Sequence, residues 1–511
     1  VDTARTASHE ADWFQRSLQW IERIGNKLPH PFALFLGLTL FIALASALLG
    51  ALDVGTTAPD GERVEVRNIL STAGARMMLS TGVENFMGFG PFGTVLVIMM
   101  GVSVATQTGL LQELIKVAVS RVPKRLVTFA VAYMAMVAHV ASDAAYVIMI
   151  PLGAIAFHLV GRSPVLGMVL AYVSAGAAYN ASPLITPADA LFSGVTTQAA
   201  QTVDEGYFVS PMATYFFTGA SSIVMALALT VIAETLIARR VRALGEPPQL
   251  PEELLASASR GARPGPAQRK GLIWAGAIMV GYVALLALAL APGGSPLRAA
   301  DGGLDGAPLF LGIGLLSSIM FIAAGTVYGV VTGTITKVQH QLPELMAHGV
   351  REMAPVIVLF LVIAQFVAYF EWTNLAQVIS IEGATLLRSL DMPTLLLIAV
   401  IIVAVSVLDL LTLGGIAMYS LVALVLVPML FAVGISPETT QTAYRIGDSI
   451  TNPTNPMNPY FLMTLAMLQK YFPKAGIGTL ASMTVPLAFC AGAVWIVFFL
   501  IWIGIGLPLG P

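Results

Sequence analysis

Charge is what this chain has least of: 11% of its 511 residues are Asp, Glu, Lys or Arg, against 57% hydrophobic. Soluble domains carry about twice that share of charge. With a mean hydropathy of +0.83, the composition excludes a soluble globule and points to a chain that crosses a membrane many times. Cysteine is nearly absent too. The single Cys490 excludes an intramolecular disulfide and leaves the redox compartment open; as a small residue in a late apolar run it is expected to be buried. No HExxH stretch occurs, which removes the obvious intramembrane metalloprotease.

What is present is a set of apolar runs. A bilayer core of roughly 30 Å needs about 20 apolar residues per helical span. Nine runs qualify, over 30–50, 91–112, 165–200, 211–238, 271–291, 308–335, 354–371, 440–468 and 480–508. Two more, 126–160 and 393–433, are too long for one straight span and are expected to be re-entrant hairpins. The fold class is therefore an all-α polytopic membrane protein with about nine transmembrane helices and two re-entrant hairpins.

Loop charge sets the sidedness. With both hairpins returning to the side they came from, 20 of the 26 Lys and Arg fall on one side, which the positive-inside rule makes cytoplasmic together with the N-terminus. Two full spans per long run would give the same parity, so charge fixes sidedness and not hairpin depth. Residues 1–29 form a polar, amphipathic cytoplasmic segment, too long a flank for a cleaved signal. Trp13, Trp20, Ile21 and Ile24 can share one helical face there, suited to lying on the membrane.

The chain repeats itself. "GRSP" at 161–164 recurs as "GISP" at 434–437, and nineteen residues after each of these prolines stands another, Pro183 and Pro456. Each motif follows a hairpin and precedes a span interrupted by proline and polar residues. The first half is 30–242, with hairpin 126–160 and broken helix 165–200; the second is 270–511, with hairpin 393–433 and broken helix 440–468. Residues 243–269, rich in Pro, Gly, Ser and charge, read as a flexible cytoplasmic linker. By the charge count the first hairpin opens to the cytoplasm and the second to the outside, so the two repeats are inverted. Inverted repeats with discontinuous helices at corresponding positions indicate a secondary transporter with its site near the bilayer midplane.

The breaks carry the chemistry. Proline has no N–H and clashes with the carbonyl four residues earlier, so Pro453, Pro456 and Pro459 free the carbonyls of Ser449, Asn452 and Asn455, and Pro183 and Pro187 those of Tyr179 and Pro183. With the side-chain oxygens of Asn180, Ser182, Asp448, Asn452 and Asn455, each break offers hard oxygen donors suited to sodium, and half-helix N-termini suited to an anionic substrate group. The competing reading is proline kinks filled by neighbouring helices and water. Ionisable residues inside spans default to functional candidates: Asp143 at the first hairpin's tip, Asp189 at the first break, Asp409 near the second tip, and Arg445 with Asp448 at the second break. Arg445 and Asp448, three apart, share a helix face. They either pair with each other, or Arg445 meets a substrate carboxylate or sulfonyl oxygen while Asp448 binds the ion or carries a proton. Asp189 either carries a proton or only caps a helix. His139 and His158 are expected to be packed, Glu234 to snorkel to the interface, and "FMGFGPFG" at 86–93 to break the chain before the second span.

At this point the residues resemble a known family. "YNASPLITPAD" at 179–189 and "YRIGDSITNPTNPMNP" at 444–459, with nine spans, two hairpins and a cytoplasmic N-terminus, are similar to the p-aminobenzoyl-glutamate transporter (AbgT) family from about residue 12 to the end. The resemblance implies a homodimeric, multi-pass carrier of the bacterial inner membrane. Such a carrier imports p-aminobenzoyl-glutamate or exports sulfonamide antimetabolites, and is coupled to Na+ or H+. It also implies substrate-path roles for Asp189, Pro437, Arg445, Asp448 and Pro456. Where the family has a serine and a tryptophan after the second hairpin's glycine turn, this chain has Ile416 and Tyr419, the latter still able to stack on an aromatic ring; Asp409 stands where an amide is expected. The ion-binding candidates are thus Asn180, Ser182, Asp409, Asp448, Asn452 and Asn455. No enzyme, cofactor or nucleic-acid partner is expected. An aspartyl protease reading of "RIGD" fails because Arg445 occupies the first glycine position. The remaining alternatives are an ion-coupled dicarboxylate-type carrier and an uncoupled channel.

Overall fold

A computed structural model of the chain describes residues 31–57, 61, 63–120, 122–245, 264–303, 307–410, 415–456 and 458–511. The expected amphipathic segment over 1–29, most of the linker and positions 411–414 of the second hairpin lie outside them. The architecture is helical; among the described residues β structure is one antiparallel pair, β1 (Gly55–Thr57) with β2 (Arg63–Glu65).

The first half opens with α1 (Pro31–Ala51), α2 (Thr72–Met87), α3 (Gly90–Gln107) and α4 (Leu110–Ser120). The first hairpin is α5 (Val127–Val137), a tight turn over Ala138–Ala141 and α6 (Ala144–Leu159); the first broken helix is α7 (Pro164–Ala177) and α8 (Pro187–Gln201). A closing span, α9 (Tyr215–Ile232), continues through a π-helical turn into α10 (Ala238–Ala243). The second half has α11 (Pro266–Leu290), α12 (Ile313–Thr332), α13 (Val338–Trp372) and α14 (Leu375–Ser389), then repeats the order. Its hairpin is α15 (Thr394–Asp409) with α16 (Gly415–Phe431), its broken helix α17 (Pro437–Thr451) with α18 (Pro459–Tyr471), and its closing span α19 (Ile477–Gly504).

Eight helical segments among the described residues are long and apolar enough to cross a membrane. Seven match expected spans, the eighth is the first arm of the first hairpin, and the other two expected spans are the broken helices. The hairpin arms α6 and α15 have 16 residues each. At about 1.5 Å per residue they fall short of the roughly 30 Å core.

The repeated GxSP stretch is a corner, and its four residues show why. Gly161 and Gly434 take positive φ, +77° and +87°, which glycine allows without steric cost. The next N–H reaches back five residues, Arg162 N to Phe157 O at 2.8 Å and Ile435 N to Leu430 O at 3.0 Å, closing the same C-terminal motif in both halves. Serine then precedes the new helix, and Ser436 Oγ caps it by accepting from Thr439 N at 3.2 Å, whereas Ser163 makes no such bond. Proline follows at N1 of α7 and α17, where a missing N–H costs nothing.

Small residues let the half-helices cross closely. Gly153 of α6 meets Gly167 of α7, and a Cβ on Gly176 would lie 2.8 Å from Pro453 Cβ, so α7 touches the second break directly. The closing spans pack on each other through Trp495, whose Nε1 donates to Ser221 Oγ at 3.0 Å, and through Phe217 against Phe499 at 4.9 Å. Only Gly271 and Ala275 of α11 are buried, which turns the rest of this apolar helix outward as lipid demands.

Four expectations need correction. Helix α2, too polar to appear among the apolar runs, precedes the expected second span, while the break before that span falls at Gly88–Phe89, within the expected 86–93. The seventh span starts earlier than 354, because α13 runs from Val338 straight through Pro343 and Pro355. Cys490 is exposed on α19, since an outer face of a membrane helix accepts a small apolar side chain as readily as a core does. Glu234 does not merely snorkel: Arg162 Nη2 donates to both its carboxylate oxygens at 2.7 Å, and Thr128 also hydrogen-bonds it.

Candidate substrate and ion site between the two breaks

Helix α17 is the polar residue run TTQTAYRIGDSIT placed inside the protein: 13 of its 15 residues are buried. Burying such side chains in a membrane protein is costly unless each finds a partner, and the partners come from the first half. Arg445 Nη2 donates to Asp189 Oδ1 at 2.6 Å, Nε to Asn180 Oδ1 at 2.9 Å and Nη1 to Thr214 Oγ1 at 3.2 Å. Its guanidinium also stands over the Phe192 ring, 5.2 Å from the centroid. Asn180 in turn donates to Ser449 Oγ at 2.8 Å and to the Arg445 carbonyl at 3.2 Å.

Asp189 has a second duty. Its Oδ2 accepts from Thr186 N at 2.6 Å and Thr186 Oγ1 at 2.8 Å, a capping box that starts α8. One carboxylate thus caps a half-helix and neutralises an arginine of the other half. The ion pair that i,i+3 spacing admitted between Arg445 and Asp448 does not form, because Arg445 is turned to Asp189.

Asp448 is left to a second group. It is 2% exposed, and it receives hydrogen bonds from Asp409, at the end of the second hairpin's first arm, and from Asn452. Thr451 Oγ1 donates to Asp409 Oδ2 at 2.6 Å. Like charges so close resist joint ionisation, so the pair is suited to taking up a proton or a cation. Asp448 Oδ1 is buried with no hydrogen-bond partner, and it faces Gly415, where a Cβ would come within 2.5 Å of it. Among the described residues no cluster of three or more His, Cys, Asp or Glu could hold a metal ion. Oxygen donors suited to a proton or a monovalent cation are present in the Asp409–Asp448–Asn452 group.

The other candidates are distributed around this centre. Tyr419 is buried on α16, its hydroxyl 2.5 Å from Thr196 Oγ1 and its ring 5.0 Å from Phe192 and 4.6 Å from Tyr444. Pro437 is at the far end of α17, eight residues from Arg445, at the GxSP corner. Pro456 is buried in the second break, and Asn452 opens the short turn Asn452–Thr454 there. Ser182 Oγ accepts from Leu184 N at 3.2 Å, and Asn455 is buried.

Three carbonyls expected to be freed by proline are taken by protein donors. Tyr215 Oη donates to Pro183 O at 3.2 Å, Asn458 Nδ2 to Asn452 O at 3.2 Å and Asn458 N to Asn455 O at 3.1 Å. Neighbouring donors therefore fill much of the kinks, and Asn180 is occupied on both amide atoms. Sequence reasoning missed Thr196, Gln441, Thr214 and Ser449, which complete the polar core; Thr196 Oγ1 donates to Gln441 Oε1 at 2.6 Å. The signal for two of them was the i, i+4, i+8 row Gln441, Arg445, Ser449 on one face of α17.

A repeated hairpin and broken helix, with a buried arginine and carboxylates at the seam of two halves, is the architecture of a membrane transporter. The sequence model of the AbgT putative transporter family matches residues 16–511, and the chain belongs to that family. It is 34% identical over 494 residues to the p-aminobenzoyl-glutamate transport protein of Escherichia coli, covering 96% of this chain and 95% of the relative. Among the solved structures that match are two transporters. The Alcanivorax borkumensis YdaH transporter, described as having an unusual topology, superposes with a TM-score of 0.88 at 34% identity, covering 94% of this chain and 100% of that one. Neisseria gonorrhoeae MtrF, described as illuminating a class of antimetabolite efflux pumps, superposes with a TM-score of 0.89 at 33% identity, covering 97% and 99%.

Proposed function

We propose that this transporter moves p-aminobenzoyl-glutamate or sulfonamide-type aromatic antimetabolites across the bacterial inner membrane as a homodimer with a cytoplasmic N-terminus, coupled to Na+ or H+. The observation that carries the reading is the division of labour in α17. Arg445 closes the seam between the halves through Asp189, while Asp448, one turn on, keeps an unpartnered buried oxygen beside Asp409. A group that fastens the halves and a group that can gain or lose a cation are what coupling needs, because a coupling ion acts only through its different affinity for two states. The names of the relatives support the substrate class. Charge asymmetry supports the orientation.

The test is uptake of radiolabelled p-aminobenzoyl-glutamate and of a sulfonamide into proteoliposomes, with sodium and proton gradients imposed separately. Transport that follows one gradient and is lost in Arg445→Ala and Asp448→Ala supports the reading and names the ion. Flux of neither compound, with succinate carried instead, overturns the substrate class in favour of a dicarboxylate. Flux indifferent to both gradients makes the protein a channel.

A further inference from the structure

The first hairpin ends in chemistry that the Arg445 centre does not use. Its tip carries Ser142 at φ +51°, a backbone conformation that side chains rarely adopt, and then Asp143. Asp143 is exposed although it sits between the halves, makes no ion pair among the described residues, and accepts the hydroxyl of Tyr460, the second residue of α18. The Tyr460 ring lies flat on Tyr146, with centroids 4.3 Å apart and planes 4° from parallel. Tyr146 is buried and Tyr460 only half-buried, so the accessible part of this stack belongs to Tyr460, beside the exposed Asp143.

Behind the stack the wall is aromatic. His139 is edge-on to Tyr179 at 4.7 Å and to Tyr146 at 5.9 Å, and neither ring nitrogen has a hydrogen bond of acceptable geometry. The Ala175 carbonyl beside it already takes the Tyr146 hydroxyl at 3.1 Å. Tyr179 joins this tip to the centre described above, since its ring meets His139 and the next residue, Asn180, accepts from Arg445 Nε at 2.9 Å. The two tyrosines Tyr146 and Tyr419 stand at the same interval before Pro164 and Pro437. Each half thus has a tyrosine at the corresponding place, buried among Phe192 and Tyr444 in the second half and stacked under Tyr460 beside the exposed Asp143 in the first.

We infer that Asp143 and the outer face of Tyr460 form the pole of the site that receives the ring bearing N–H donors, an arylamine or sulfonamide. The ring continues the Tyr146–Tyr460 stack and its N–H donates to the Asp143 carboxylate. A carboxylate without a cationic partner attracts donors and repels anions, so it also turns a substrate's own carboxylates away from this pole. Ring stacking sets the position and the charged hydrogen bond sets the preference. The assignment rests on the proposed aromatic substrate class and specifies which end of the molecule meets which half of the protein.

The test compares p-aminobenzoyl-glutamate with benzoyl-glutamate, which lacks only the amine, in proteoliposomes. The wild-type protein is expected to favour the amine by about 10-fold or more in kcat/KM, the range of a charge-assisted hydrogen bond. Asp143→Ala should abolish that preference while still carrying benzoyl-glutamate, and Tyr460→Leu should weaken both compounds alike. Tyr460→Phe keeps the stack and releases Asp143 from its internal donor, so it should hold or raise the preference. Asp143→Ala protein that transports both compounds with the wild-type ratio overturns the assignment alone. If Asp143→Ala fails to fold, judged by its melting profile, Asp143→Asn, which keeps the shape and loses the charge, replaces it, and a wild-type ratio in that variant overturns the assignment. Wild-type protein that carries neither compound overturns the substrate class, and this assignment with it.

Discussion

Arg445 Nη2 stands 2.6 Å from Asp189 Oδ1, joining positions 256 residues apart and one from each half of the chain. Both side chains are buried, at 4% and 9% exposure. Removing one partner strands the other's charge, a loss of about 3–5 kcal/mol. We expect Arg445→Ala and Asp189→Ala each to lower the melting temperature sharply in detergent. The double variant should be less damaged than the sum of the two, because it strands no charge; strict additivity would show that the pair is not the coupled unit the geometry implies.

Tyr419→Phe tests the hydroxyl that the second hairpin contributes to the polar core. It removes the donor to Thr196 Oγ1 at 2.5 Å and keeps the ring against Phe192 and Tyr444. A loss of about 0.5–1.5 kcal/mol is expected. Denaturation of the two proteins side by side measures it, and a larger loss would mean that the ring position also depends on the hydroxyl.

Gly176→Ala places a methyl 2.8 Å from Pro453 Cβ, where the two breaks touch. Overpacking of this kind costs about 1–3 kcal/mol. A thermal melt of Gly176→Ala beside Gly219→Ala, whose added methyl meets nothing within 4 Å, isolates the contact. Equal melting points would place the two breaks farther apart than described.

Gly415→Ala brings a Cβ within 2.5 Å of Asp448 Oδ1. The methyl must push the carboxyl from its place against Asp409, so on the proposed coupling through Asp448 ion-driven transport should fall by about 10-fold or more while the protein still folds. Retained coupling in this variant would show that Asp448 acts from another position.

Glu234→Gln weakens the bidentate contact with Arg162, whose side chain is 28% exposed against 39% for Glu234. Partly exposed pairs are screened, so the expected loss is below about 1 kcal/mol and smaller at high salt. Melting at low and high ionic strength checks the sign of that dependence.

The breaks were legible because proline and asparagine have few other reasons to cluster in an apolar run, and the corners because GxSP combines a left-handed glycine, a cap and an N1 proline. The partner of Arg445 was not. Spacing along α17 shows which residues share its face, and it says nothing of which distant carboxylate comes to that face. The freed carbonyls were misjudged for a related reason. A proline tells where an acceptor loses its helical donor, whereas Tyr215 and Asn458, which replace that donor, are set by packing. Helix α2 was missed because its polar residues keep it out of any apolar run, and it counts toward a crossing only together with α3.

The two glycine-serine-proline corners have a mechanical consequence. Each joins a hairpin's return arm to the following half-helix through residues whose backbone is fixed by reverse hydrogen bonds and a proline ring, so no slack is left between them. Arm and half-helix form one bent lever per half. A hairpin arm that swings carries the start of its half-helix along, and the two levers meet at the breaks, where Gly176 lies against Pro453.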